Sequence, residues 1–410
     1  MDEIRLSIMD RGPEFNARFR RVLDDFERIE AQRVHLDILS WRDAWQTLVK
    51  FGMYGDGPQV SEVGSTWIGD LVGMNTLRLF EAAELCNHGL GESVFLAPTW
   101  AAATLAGSHD ASLTSGNWGV PMTVDPRIIY YRIDHLSAAG IDPATAFTSA
   151  EDLTDTLARL LAAGISAPWI VPTHRSRLTV HNMASWIWGA GGRFMTPDVK
   201  HTAFASPASR TGITEYFQLA RYISAPHREL DDDDASQAFY RGESSVTIAG
   251  PWLHNILDFM PGKVGRSLPP GVPFVGGTHL VIWRQTGSQR PLLNLISYLT
   301  SPTIQLAIYQ DSTVLPARPD VLAREPFAND PFYAALASQL QTARSFPLFR
   351  LWGMVENRLT EAMTTIWRGV LAKTLDTSPE SAAIQKAEIA SLVAETLESL
   401  AYRLDITLNS

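Results

Sequence analysis

Apolar and polar residues alternate from Ile4 to Met9, the period of a strand, and the run stops at the turn residues Asp10-Arg11-Gly12-Pro13. Phe15, Phe19, Val22, Leu23, Phe26 and Ile29 then recur every three or four positions with Arg and Asp between them. That spacing predicts an amphipathic helix. Val34 to Leu39 reads as the next strand, Trp45, Leu48 and Val49 mark a second helix, and Gly55 to Pro58 breaks the chain before a third strand at Val60 to Val63. Strand, helix, strand, helix, strand is the rhythm of a parallel sheet covered on both faces.

The rhythm resumes after a Gly-rich stretch, where Trp118 to Val124 leads into Ile128 to Tyr131. Helical spacing predicts helices over 150–163, 178–190, 213–223 and 235–241, with a strand from Ser245 to Ala249. The second of these helices carries Trp186-Ile187-Trp188 and ends at Gly189-Ala190-Gly191-Gly192, a stop signal because glycine enters the left-handed region cheaply. Leu268 to Pro273 holds three prolines and predicts a rigid, unhelical crossing between domains. After a strand at Thr278 to Trp283, helices are predicted over 289–300, 302–310, 331–341, 348–370 and 379–402.

A chain of 410 residues predicts two domains, each large enough for its own core. Hydrophobic residues at 45% and charged residues at 19% place it among ordinary globular proteins. A net charge of −10 without a Lys/Arg-rich block argues against a nucleic-acid partner, which needs a positive footprint. No run of about 18 apolar residues is available to span a bilayer. The segment beginning Met1-Asp2-Glu3 has no basic, apolar and cleavable parts of a leader, and the single Cys86 forms no internal disulfide. Asp231 to Asp234 lacks the spacing and glycine of a calcium loop and reads as solvated surface. His174, His181 and His201 lack metal-ligand spacing, and no nucleophile elbow, zinc helix or phosphate loop occurs. The informative excess is aromatic: 12 Trp, 10 Tyr and 17 Phe. Indoles fill cores and also offer flat faces to a ligand.

Six strings occur in a telling order: Trp45 to Gly55 with Pro58-Gln59-Val60 and Gly64-Ser65-Thr66-Trp67; Gly119-Val120-Pro121 with Asp125 to Arg132; Phe239 to Leu253, containing Gly242-Glu243 and Gly250-Pro251-Trp252; Gly276 to His279; Tyr298 to Pro302; and Leu315 to Arg318. Together they resemble the extracellular solute-binding proteins of ABC transporters, in the carbohydrate-binding family that includes maltose-binding protein. Gln59 stands where that family more often has Asp. The resemblance implies an α/β, two-lobed periplasmic-binding-protein fold with discontinuous lobes, a hinge and a ligand cleft between them. It sets the N-terminal lobe at 1–119 plus 274–312 and the C-terminal lobe at 120–273 plus 313–410. It implies high-affinity binding of a mono- or short oligosaccharide, delivery to the permease subunits of an ABC importer, a monomer, and no catalysis, cofactor or metal. It also implies an extracytoplasmic location, periplasm or cell surface, with the leader peptide absent from this chain.

A pyranose has flat C–H faces that aromatic rings can cover and hydroxyl edges that charged and polar groups can bond, charged partners most strongly. Residues of both kinds at strand ends and turns are therefore the candidates. Trp252, after Gly250-Pro251 at a strand end, is the first stacking candidate, followed by Trp67, Trp188, Trp352 and Trp41. Asp125 and Arg127 near the crossing, Glu14 and Asn16 at a helix start, Ser65 in a turn and His279 are the hydrogen-bonding candidates, and Gly277 would let backbone approach a ligand. Packing, ion pairing or helix capping would explain each of them as well. A polyol or other polar solute, a ligand sensor, and a glycan-processing enzyme remain as alternatives. The last needs two carboxylates about 5–10 Å apart, and no such pair is legible in the sequence.

Overall fold

A computed structural model describes residues 3–105, 116–286, 290–310, 314–373 and 378–409. The chain divides into two compact units: Met1–Asp125 with Val275–Gln341 and Ser345–Gly353, and Pro126–Phe274 with Thr342–Arg344 and Met354–Ser410. The sequence reading hands the chain to the second lobe from residue 313. Here the stretch up to Gln341 belongs to the first unit, because Leu315–Pro316 pairs with a strand of that unit's sheet. The expected boundary at 312 and the helix start at 289 lie outside the described residues.

The strands in chain order are β1 (Ile4–Met9), β2 (Val34–Leu39), β3 (Val60–Gly64), β4 (Phe80–Glu81), β5 (Gly116–Asn117), β6 (Val120–Pro126), β7 (Ile128–Arg132), β8 (Trp169–Ile170), β9 (Val246–Ala249), β10 (Val264–Ser267), β11 (Val275–Ile282) and β12 (Leu315–Pro316). The first unit's sheet has the order β12-β6-β11-β3-β1-β2, and β4 with β5 makes a separate ribbon. The expected parallel part is present: β1 pairs with β2 from Ile4↔Val34 to Met9↔Leu39, and with β3 at Leu6↔Val60. β11 joins β3 antiparallel, from Ile282↔Val60 to Thr278↔Gly64. The helix Pro13–Glu30 buries Phe15, Phe19, Val22, Leu23 and Phe26 as its spacing predicts. Ile29, in its last turn, runs past the core and is 60% exposed.

The second unit is built on the sheet β10-β7-β9-β8. β7 runs antiparallel to both β10 and β9, and β8 lies parallel to β9. Helices Ala150–Ala162, Arg177–Gly189 and Pro207–Phe217 and the 30-residue helix Pro379–Leu408 accompany it. The helix expected over 213–223 starts earlier because Ser206 caps it, accepting from the Ser209 N–H, and Pro207 occupies its first position. The acidic run read as solvated surface has a structural job as well. Asp231 accepts from the Asp234 N–H at 2.8 Å and caps the helix Asp232–Tyr240, while Ser176 donates to Asp232.

One buried ion pair sits at the carboxyl ends of the first unit's strands. Glu62 of β3 is fully buried, accepts from the Met9 N–H (2.8 Å), and receives both Nη groups of Arg11, one of them at 3.0 Å. The Arg11 guanidinium also donates to Met9 O at 3.2 Å and lies 5.1 Å from the Phe15 ring. Burial pushes the Glu62 carboxyl up, but the Arg11 cation, with hydrogen bonds from Arg11, Thr278 and Met9, outweighs it and holds the group below its ordinary value of 4.5. Replacing Glu62 by Gln leaves a cation enclosed without its counter-charge, an arrangement that costs about 3–5 kcal/mol. Urea unfolding of E62Q should show that loss, and a midpoint equal to the parent's would remove the pair from this role. For the parent, the lowered value means that the stabilisation is complete above about pH 4.5 and is lost as pH falls further through the folded-state value.

Candidate functional site

In the first unit, five of the candidate residues gather at the carboxyl ends of β2, β1 and β3, the end at which open α/β sheets bind ligands. After β1, Asp10 Oδ1 accepts from the Gly12 N–H and from Asn16 Nδ2, both at 2.9 Å, and these bonds hold its carboxyl below the usual range. Asn16 is thereby fixed, while its Oδ1 is enclosed with no hydrogen-bond partner among the described residues. Glu14, in the first turn of the same helix, is exposed and complements the helix dipole. After β2, Ser40 caps the helix Trp41–Tyr54 through the Arg42 N–H at 3.3 Å. That cap puts Trp41 at the first helical position, 46% exposed, with Trp45 one turn later on the same face. After β3, the short turn Ser65–Trp67 brings Trp67 against both: its ring centroid is 5.7 Å from Trp41 at 60° and 5.7 Å from Trp45 at 53°. Ser65 is half-buried on the same turn.

The remaining first-unit candidates are placed differently. Gly277 of β11 has φ +144, and a Cβ there would lie 2.1 Å from the Thr123 carbonyl oxygen. Glycine is required by the contact between β11 and β6, which the Thr123–Thr278 hydroxyl bond (2.8 Å) also fastens. His279 is fully buried, and its Nε2–H donates to Thr99 O at 2.8 Å. Trp352 is enclosed, stacked on Phe346 at 4.6 Å with Phe349 at its edge. Burial makes these two residues packing groups of the first unit. Asp125, at the end of β6, is half-buried.

The second unit brings Arg127, Trp252 and Trp188 into one cluster. Trp252 follows β9 through Gly250-Pro251 in a short helical turn and is 38% exposed. Beneath it the Arg127 guanidinium, almost fully buried, lies 5.1 Å from the indole and 5.5 Å from the Phe274 ring. Arg127 Nη2 donates to His181 Nδ1 at 3.2 Å, which leaves the His181 Nε2–H to donate to Glu356 Oε1 at 2.7 Å. Trp188 is buried against Phe274 at 6.2 Å and Phe194 at 5.8 Å, so it supports the cluster from behind. Sequence reasoning misses His181, Phe274, Glu356 and Trp45 as parts of a site. One signal was available for Glu356: it is a lone acid on the helix face formed by Val355, Leu359, Met363 and Ile366, all fully buried. Among the described residues no group of three or more His, Cys, Asp or Glu is placed to hold a metal, and no helix is long and apolar enough to cross a membrane.

The buried His279 makes a pH prediction. Burial pushes its imidazole from 6.5 down to about 4, so the folded state holds it neutral where the unfolded chain would protonate it. The linked stability is complete above pH 6.5 and is lost between 6.5 and about 4, up to roughly 3 kcal/mol at about 1.36 kcal/mol for each pH unit. In His279→Gln the amide can still donate to Thr99 O but does not titrate. Its unfolding free energy should therefore fall less steeply across that window, and a slope equal to the parent's would assign the acid loss elsewhere.

Residues 30–335 match the model of the bacterial extracellular solute-binding protein family. A curated relative, the sn-glycerol-3-phosphate-binding periplasmic protein of Yersinia enterocolitica, is 21% identical over 64% of this chain and 62% of its own length. The chain thus spans about three-fifths of that relative. An ABC transporter solute-binding protein from Thermotoga lettingae, bound with α-D-tagatose, superposes with a TM-score of 0.76 at 20% identity, covering 96% of this chain and all of that one. The sugar-binding protein MalE of Xanthomonas citri superposes with a TM-score of 0.75 at 19% identity, over 98% of this chain and 99% of its own. The α/β fold implied by the sequence resemblance is the fold of these proteins, and the match over residues 30–335 places the chain in the bacterial extracellular solute-binding protein family.

Proposed function

We propose that this chain binds a sugar outside the cytoplasm and delivers it, unaltered, to the permease of an ABC importer, acting as a monomer. The observation that carries this reading is the occurrence of accessible indoles with fixed polar groups: Trp41 and Trp67 follow strands at the same end of the first unit's sheet as Asp10 and Asn16, and Trp252 lies over Arg127 in the second. Indole faces cover the C–H faces of a pyranose, and polar groups held in place by their own partners select its hydroxyls without reordering on binding. The bound tagatose of the Thermotoga relative and the name of the Xanthomonas protein agree with a sugar. The Yersinia relatives raise glycerol-3-phosphate as a second reading. The sugar is favoured because the arginines nearest these groups are matched within their own units: Arg11 pairs with Glu62, and Arg127 reaches Glu356 through His181. A phosphate gains most from cations left for it to pair with. Both buried glutamates are also fully enclosed, so neither is offered to a substrate as a catalytic acid.

Thermal unfolding against monosaccharides, disaccharides, polyols, amino acids and glycerol-3-phosphate tests the reading. A ligand at about 100 times its dissociation constant adds about 2.7 kcal/mol of stability. A shift with sugars that are recovered intact is the expected result; a shift with glycerol-3-phosphate alone, or consumption of the sugar, would replace it. Trp252→Ala should weaken sugar binding by about 1–3 kcal/mol in calorimetry while the fold is retained. Equal affinity would take Trp252 out of the site.

A further inference from the structure

In the second unit, before β9 and so at the end of that strand remote from Trp252, a serine, a histidine and a glutamate form one hydrogen-bonded chain. Ser224 Oγ lies 2.6 Å from His227 Nδ1, and His227 Nε2 lies 3.0 Å from Glu243 Oε2. Arg241 fixes the glutamate in turn: its Nε donates to Oε1 at 2.5 Å and its Nη2 to Oε2 at 3.3 Å. Gly242, at φ +74, makes the turn between them. Hydrogen bonds from Arg241 and His227 hold the Glu243 carboxyl down at about 2, so at neutral pH it is ionised and can only accept. A neutral His227 therefore carries its proton on Nε2, which leaves the Nδ1 lone pair to receive the Ser224 O–H.

Structural duty does not account for the serine. Ser224 precedes the short turn Ala225–His227, yet its side chain caps no backbone N–H there, and it is partly exposed. The unit holds a second such pair, Ser245 Oγ with His135 Nδ1 at 2.8 Å. That hydroxyl is fully enclosed, and among the described residues no carboxylate bonds the other nitrogen of His135. Of the two, Ser224 alone joins an accessible hydroxyl to a base that can take its proton and an acid that orients the base. That arrangement turns a weak hydroxyl into a nucleophile. We propose that Ser224 is an acyl-acceptor residue that attacks activated carboxylic esters. Its Oγ forms the new ester bond while its proton passes to His227 Nδ1. The bond to the leaving alcohol or phenol then breaks, and that group takes the proton from the imidazolium, giving acyl-Ser224 and free alcohol. Glu243 positions the imidazole and stabilises its charge. The Ala225 N–H, unpaired among the described residues, is available to the developing oxyanion.

Incubation of the full chain with p-nitrophenyl acetate at neutral pH tests this, with p-nitrophenolate release followed by absorbance and the acetylated position found by peptide mass spectrometry. The expected result is acetylation of Ser224 in the parent chain, with the burst of p-nitrophenolate lost in S224A. H227N, which keeps a hydrogen-bonding side chain without a base, should slow acetylation by ~100-fold or more. E243Q should slow it less, and imidazole nitrogen spectra should show its His227 no longer held in the Nε2–H form, a change that loss of packing alone would not cause. Mapping on the parent needs no variant, so a misfolded S224A leaves the test intact. Acetyl groups confined to lysines, the N-terminus or Cys86 overturn the proposal. So does a Ser224 acetylation rate unchanged in H227N. Because the array lies at the other end of β9 from Trp252, its failure leaves the sugar reading standing.

Discussion

Enclosing the Glu62 carboxylate is the requirement around which the carboxyl end of the first unit's sheet is arranged. A buried anion is tolerated only when its oxygens are occupied. Meeting that need draws in the Met9 N–H at the end of β1, the Arg11 guanidinium in the following turn, and Thr278 of β11. These partners fix the turn that carries Asp10 and starts the helix bearing Asn16. The same strand end leads to the turn that aims Trp67 at Trp41. A single ion pair thus sets the positions from which the Asn16 amide and the Trp67 indole project.

The second unit answers the same problem with a relay. Arg127 is enclosed beneath Trp252 and Phe274, and its charge reaches Glu356 through the two nitrogens of His181. In both units an arginine is held rigidly beside an aromatic ring. Each of these long side chains is thus held by partners within its own unit, Arg11 by Glu62 and Arg127 by His181.

Much of the fold was legible because its long elements have strong periodicity. The helix Pro13–Glu30 and the parallel set β2-β1-β3 follow the apolar spacing closely. Short elements were not legible: β8 and β12 have two residues each, too few to show a period, yet β12 decides which unit holds 314–341. The placement of candidate indoles was legible where they follow a strand end and stay accessible, as at Trp41, Trp67 and Trp252. It was misleading where strand ends were buried by neighbours, as at His279 and Gly277, because sequence shows that a residue follows a strand but not what covers it. Glu356 and His181 were missed for the converse reason. They lie on helices far apart in the chain, at 181 and 356, and only the fold makes them partners.

The order of strands in the first sheet also bears on how the chain is made. β3 is central, flanked by β1 and β11, and the bond from Trp283 Nε1 to Ser61 Oγ closes a span of 222 residues. Until that distant neighbour is in place, the sheet ends in an unpaired β3, a sticky edge that invites association with other chains. Wherever the chain folds, completion of this unit waits on a long loop closure, and a chaperone that shields Val60 to Gly64 until β11 pairs with it would raise the yield of native protein.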